Sequence, residues 1–166
     1  LTPSWAPAVD QKYSMFNARS ESIATSRAFR SPFRRQRGLV PMSSFIEWRT
    51  EGGVKQPWQI SNGAGALAIA ALWEVWEKGD EPLLSCTLVT TAAAPAYSAW
   101  HKRMPVMLAP DERERWLDNS QALAADDALF RPELKEDLFL TPLDRAVSNA
   151  RNKDAALLRA VGDEVV

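Results

Sequence analysis

The chain is short of the residues from which many sites are built. Its 166 residues contain one cysteine, Cys86, and one histidine, His101. A lone cysteine excludes an intramolecular disulfide and fits a reducing compartment. One His and one Cys make no zinc centre without carboxylates, and none stands at a suggestive spacing, so neither metal nor cofactor is expected. No apolar run approaches the roughly 20 residues that cross a bilayer, and no membrane partner is expected. The longest such run, Ala66 to Trp73, reads as a buried strand. No basic segment precedes an apolar one at the start, so nothing there resembles a signal peptide. The G-x-S-x-G pattern of serine hydrolases is missing, and His101 has no evident acid partner nearby in sequence. The first residue is Leu1, not Met, which suggests a chain that begins inside a longer protein.

What is present is enough apolar residue, 46%, for one sizeable core, and the length suits a single domain over 1–166. The net charge of −1 conceals an asymmetry. Residues 1–58 carry nine Lys/Arg against four Asp/Glu, and residues 59–166 carry eleven against seventeen. The basic part is mostly arginine: Arg19, Arg27, Arg30, Arg34, Arg35, Arg37 and Arg49. Arginine forks suit phosphate oxygens, so an anionic partner such as nucleic acid is one reading. An ordinary solvated face is the other.

Turn signals and apolar patterning divide the chain into short elements. Leu1 to Asp10, with Pro3 and Pro7, reads as extended loop. Asn17 to Phe29 has helix-compatible spacing, ending near Ser31-Pro32. Gly38 to Pro41 is a strand, and Ser44 to Trp48 and Gln56 to Ile60 form a hairpin across Glu51-Gly52-Gly53. After a turn at Asn62-Gly63 come two central strands, Ala66 to Trp76 and Leu83 to Thr91. Pro95 to Trp100 is a turn or short helix, and Met104 to Leu108 a strand. Pro110 to Leu117 opens as a helix should, with proline first and acids in the first turn. Ser120 can cap a second helix to about Leu129, and Leu138 to Pro142 is a last strand. The fold class is α+β, mostly antiparallel strands in a curved sheet or barrel-like core flanked by short helices.

Four local patterns carry candidate chemistry: Asn17-Ala18-Arg19-Ser20-Glu21, Phe45-Ile46-Glu47-Trp48, Thr90-Thr91, and His101-Lys102-Arg103-Met104-Pro105-Val106. Singly each has an ordinary explanation. Glu47 either faces outward or is buried and held for proton transfer. His101 is a surface residue or a catalyst, Asn17 a helix cap, and the threonines plain strand residues.

Together with Leu1-Thr2-Pro3-Ser4-Trp5, Lys55-Gln56-Pro57-Trp58, Ala71-Leu72-Trp73-Glu74 and Ala146-Val147-Ser148-Asn149 followed by Arg151-Asn152, the first, second and fourth of these patterns resemble the ordered motifs of the SOS-response-associated peptidase (SRAP) family from Leu1 to about Asn152. The resemblance implies an SRAP-like fold and capture of abasic sites in single-stranded DNA. In that family a mature N-terminal cysteine attacks the ring-opened sugar through its α-amine, and its thiol closes a thiazolidine. Carried over by motif, Asn17 would position the amine, Glu47 would be the general acid/base, and His101 would assist ring opening. Arg19 and Arg103 would hold phosphates, with Trp5, Thr90 and Thr91 also at the DNA, while Trp48, Trp73 and Trp76 would lie in the core. The family's opening M-C-G-R-F is not in this sequence, and Cys86, its amine tied up in a peptide bond, reads as a core thiol. The expectation is therefore an N-terminally truncated domain, bacterial or phage-related, a cytoplasmic monomer that is nucleoid-associated when on DNA. Self-processing peptidase activity limited to the initiator Met, or a non-catalytic DNA-binding remnant, are the competing readings.

Overall fold

The computed structural model describes residues 1–9, 15–63, 65–149, 151–152 and 154–165. Along them run β1 (Asn17–Arg19), α1 (Arg30–Arg35), β2 (Arg37–Met42), β3 (Phe45–Glu51), β4 (Val54–Ser61), β5 (Leu67–Trp76), β6 (Leu83–Ala92), β7 (Arg103–Pro105), α2 (Pro110–Leu117) and β8 (Phe139–Pro142). Short 3₁₀ turns lie at Ser20–Ser22, Ala128–Phe130, Arg145–Ser148 and Ala155–Leu157. Residues 1–9 carry no regular element, and Asp10, which closes the expected loop, lies outside the described residues. None of the described helices is long and apolar enough to cross a membrane.

The strands form two sheets, with antiparallel pairing predominant. In the larger, β5 lies between β2 and β6, with Arg37 opposite Leu72 and Ala71 opposite Leu88. Leu67 to Leu72 is buried without alternation, as befits a strand covered on both faces. β1 joins β6 in parallel, Asn17 opposite Leu88, and β7 pairs antiparallel with β6, Thr90 opposite Pro105. Where β5 and β6 separate, the chain after β7 fills the gap. The Val106 carbonyl accepts from Ala70 N–H at 2.9 Å, and Val106 N–H donates to Val89 O at 2.9 Å. The smaller sheet has the order β3-β4-β8. Its β3–β4 turn places Gly52 at φ 55° and Gly53 at φ 80°, left-handed positions that favour glycine and match the twist of a two-residue hairpin.

Two buried clusters match this division. One packs α1 and α2 on the larger sheet through Phe33, Leu72, Trp116 and Phe130. Trp116 and Phe130 meet edge to face at 6.1 Å, a favourable aromatic geometry. The other lies between the sheets and holds Trp58, Ile60, Ile69, Tyr97 and Met104.

Arg37, counted with the basic face in sequence, is internal and 2% exposed. Its guanidinium donates to the carbonyls of Phe33 at 2.9 Å, Trp116 at 2.7 Å and Gln121 at 2.9 Å, and also to that of Asp118. Phe33 belongs to the last turn of α1, and Trp116 and Asp118 close α2. The cation therefore satisfies carbonyls that helices leave unpaired, at the negative end of each dipole. Burial pushes its pKa down, with Asp118 opposing, but arginine remains charged.

The sequence expectations fail where long-range contacts outweigh local spacing. Asn17–Phe29 is not a helix. Asn17 to Arg19 are drawn into a parallel ladder with β6, and the chain turns through Ser20–Ser22 before α1. Pro32 begins no break; it sits in the first turn of α1, where its missing N–H costs nothing. Ser120 opens no helix: its N–H and its hydroxyl both turn back to Asp118 Oδ1, at 3.0 and 2.5 Å, and in this stretch only Ala128–Phe130 coils, capped by Asp127. Trp48 and Trp73 are 42% and 39% exposed rather than core, whereas Trp76 is buried. Cys86 is also exposed, opposite Trp73 on the outer face of β6, because strand side chains alternate between faces.

Replacing Arg37 with Leu would orphan all four carbonyls at once. Urea denaturation should show a loss of about 3 kcal/mol or more, since bonds to a charged group and the desolvation of buried acceptors are both involved. A loss under about 1 kcal/mol would contradict this account of the guanidinium.

Candidate active site

β2 runs almost directly into β3, carrying the chain from the larger sheet to the smaller, and a cavity of about 410 Å³ opens beside this crossing. Asn17 and Arg19 reach it from β1, Glu47 from β3, Thr90 from β6, Arg103 from β7, and His101 from the turn before β7. Met42, Phe45, Leu88, Met104 and Pro105 make up its apolar wall. Polar groups converging over an apolar floor are the usual form of a binding site for a small reactive group.

Glu47 Oε1 lies 3.7 Å from His101 Nδ1. The Glu47 side chain is 23% exposed and that of His101 49%. Burial pushes the Glu47 carboxyl above the usual glutamate range, opposed by the attraction of His101 and a hydrogen bond from the Trp48 backbone. A carboxyl so placed holds its proton closer to neutrality, as a general acid/base must. Beneath it, the buried Tyr97 hydroxyl is pushed up by its own desolvation and by the Glu47 charge. His101 Nδ1 is 2.8 Å from Arg103 O and 3.3 Å from Arg103 N. A carbonyl oxygen at the shorter distance requires Nδ1 to carry hydrogen, so the contact with Arg103 N is not a second hydrogen bond.

Arg103 is held tightly. Its Nε donates to Thr90 Oγ1 at 3.2 Å and its Nη2 to Thr90 O at 2.7 Å. Its two terminal nitrogens meet both carboxylate oxygens of Glu21, at 2.9 and 3.0 Å. The Arg103 fork holds the Glu21 carboxyl below its ordinary range.

The structure thus brings together Asn17, Arg19, Glu47, Thr90, His101 and Arg103, and leaves two candidates apart. Trp5 packs against the helix-bearing core with the Arg27 guanidinium 4.3 Å from its ring centroid. Thr91 is buried and donates its hydroxyl to Phe130 O at 2.6 Å. Two features were not singled out from sequence. Glu21 stood in a quoted motif without a role. Trp48, next to Glu47 but on the opposite face of β3, donates its indole N–H to Ser148 Oγ at 2.9 Å. It forms an open depression of about 370 Å³ with Lys55, Arg145 and Ser148.

Two sheets of mostly antiparallel strands with a carboxylate–imidazole pocket at their crossing, flanked by arginines, define the class of this protein. The chain belongs to the SOS response associated peptidase (SRAP) family, whose profile it matches over residues 1–150. Among its relatives, the abasic site processing protein YoaM of Bacillus subtilis is 36% identical over 165 residues, covering 96% of this chain and 72% of that one. YedK of Escherichia coli, also an abasic site processing protein, is 31% identical, with 95% and 72% covered. The abasic site processing protein HMCES of Gallus gallus is 30% identical, with 92% and 53% covered. A crystal structure of a Bacteroides thetaiotaomicron protein superposes with a TM-score of 0.83 at 25% identity, over 97% of this chain and 74% of that one.

The raised pKa of Glu47 has a consequence for stability. A carboxyl that binds its proton more readily when folded contributes stability fully present below the unfolded value, about 4.3, and lost as pH rises through the folded value. Glutamine carries no charge at either pH. The stability of the wild type relative to Glu47→Gln should therefore fall as pH rises above the unfolded value in denaturant titrations. A difference that stays flat or rises would contradict the desolvation of Glu47.

Proposed function

We propose that this protein processes abasic sites in DNA, holding single-stranded DNA across the pocket while an N-terminal cysteine captures the lesion covalently. The observation that carries the reading is the meeting of Glu47 and His101 with Asn17 in one cavity bordered by Arg19 and Arg103. The shared name of its relatives supports the substrate. An abasic site is in part a ring-opened aldehyde, and the chemistry needs an amine and a thiol on one residue. The amine adds to the aldehyde carbon, and the resulting hydroxyl leaves as water once protonated, giving an imine. The thiol then adds across the C=N bond: sulfur bonds to carbon, nitrogen takes the proton, and a thiazolidine results.

In this reading Glu47 supplies and recovers the proton of the dehydration, His101 assists opening of the sugar ring, and Asn17 orients the amine. Arg19 and Arg103 take the flanking phosphates. Cys86 does not serve as nucleophile, because its amine is an amide and its thiol is on the outer face of β6. The reading requires a cysteine with a free α-amine ahead of Leu1. β3 is the outer strand of its sheet, so DNA passing its free edge comes to the exposed face of Trp48, where a base stacks between Lys55 and Arg145.

A form of the protein beginning with such a cysteine should give a crosslink to abasic single-stranded DNA that survives denaturation without reductant. Glu47→Gln should slow its formation by about 10²–10⁴-fold. A stable crosslink formed by the chain from Leu1 onward, and abolished by Cys86→Ala, would refute the mechanism. Binding offers a separate check. Arg19→Ala should lower the slope of log affinity against log salt by about 0.7, the share of one phosphate on a single strand. Trp48→Ala should instead weaken binding by roughly 1–3 kcal/mol, the worth of one stacked base, without changing that slope. Unchanged affinity in Trp48→Ala would remove the tryptophan from the DNA path.

A further inference from the structure

Arg103 is cast as a phosphate ligand, yet its fork is already filled. A guanidinium has five N–H groups. Nε and one N–H of Nη2 go to Thr90, and Nη1 and the other N–H of Nη2 go to Glu21. One N–H is left over, on Nη1, too little for the bidentate grip that arginine makes on phosphate. The two sides of the fork differ in permanence. Thr90 is held in β6 with a paired strand on each side, and its own hydroxyl donates to Ala18 O at 3.4 Å. Glu21 is on a 3₁₀ turn with its side chain 55% exposed, against 24% for Arg103. Arg19, the second arginine of the pocket, also attracts the same carboxylate. A planar, bidentate anion thus occupies the Arg103 fork within electrostatic reach of the second arginine assigned to DNA.

We propose that Glu21 is a built-in stand-in for phosphate, so that Arg103 binds the DNA backbone only by exchanging one anion for another. Thr90 keeps the guanidinium aimed during the exchange, and Glu21 swings to solvent. The proposal rests on the reading that Arg103 faces DNA. Its consequence is selectivity. A free phosphate ion competes with Glu21 on one contact alone and loses, because the carboxylate is tethered beside the fork. A phosphate within a strand is held by its other contacts as well, which raises its effective concentration at the fork. Glu21 therefore makes the pocket ignore isolated anions and accept a polymer.

The test compares the wild type, Glu21→Gln, Glu21→Ala, Arg103→Ala and the double variant Glu21→Gln/Arg103→Ala. Each is titrated with a short unmodified oligothymidylate, and separately with inorganic phosphate followed at the Arg103 side-chain N–H resonances by NMR. Glu21→Gln and Glu21→Ala should bind the oligonucleotide about two- to fivefold more tightly than the wild type, the worth of one exposed ion pair. The gain should vanish in the double variant, which should match Arg103→Ala. Inorganic phosphate should shift the Arg103 resonances only in the Glu21 variants. If the wild type binds the oligonucleotide and both Glu21 variants bind it equally or more weakly, Glu21 merely orients Arg103 and the proposal is overturned. If neither the wild type nor any variant binds it, the DNA reading itself fails and takes the proposal with it.

Discussion

The buried Arg37 guanidinium is the interaction on which the rest of the structure depends. It joins the carboxyl ends of both helices to the first residue of β2, and its backbone is fixed again by Asn119, whose side chain accepts from Arg37 N–H at 2.8 Å. From this anchor β2 runs along β5 and then crosses to become β3, the strand that carries Glu47. One end of the segment is thus pinned in the helical layer while the other supplies the acid/base group. Arginine is suited to the position because it keeps its charge when buried and reaches several carbonyls in one plane. Lysine would bring three donors on a point charge and lose the fork.

β6 plays the matching part on the other side of the cavity. It pairs with β5, receives β1 in parallel and β7 antiparallel, and so delivers Thr90 between Arg19 and Arg103. The separation of β5 from β6, filled by the chain after β7, turns the end of the sheet into a concave wall. His101 sits just before that insertion, and its position follows from the need to pair Val106 with both Ala70 and Val89. The pocket is a product of sheet geometry, with polar groups supplied by four strands and the turn before β7.

Much of this was legible in the sequence. The unbroken apolar run of β5, the paired glycines of the β3–β4 turn, and the proline and acids opening α2 are local signals with local causes. Asn17–Arg19 was misread because its strand character comes from a partner about seventy positions away, and no window around Asn17 contains it. Arg37 looked like one more surface cation, since nothing in Arg34-Arg35-Gln36-Arg37 tells which arginine turns inward. The motifs that suggest a core place for Trp48 and Trp73, and the strand context that suggests one for Cys86, do not tell which face of the strand each side chain takes, and alternation puts all three outside. The meeting of Asn17, Glu47 and His101 was expected only from family motifs, because residues so distant in sequence have no spacing to betray them. Glu21 was visible in its motif, but its hold on Arg103 is a matter of geometry.

The parallel pairing of β1 with β6 also governs the order in which the molecule can assemble. Half of the described pairings join consecutive strands, but β1 must wait for β6, and the fork of Arg103 cannot close on Glu21 until β7 has been made as well. Contacts of such long sequence separation form late and slowly, after their loop entropy has been met. On the ribosome, the arginine-rich segment that carries Asn17, Arg19 and Glu47 therefore emerges well before Thr90, His101 and Arg103, which complete the pocket. A chain halted before His101 would have the basic segment with neither the histidine nor the ion pair, and so would carry positive charge without the paired acid and base.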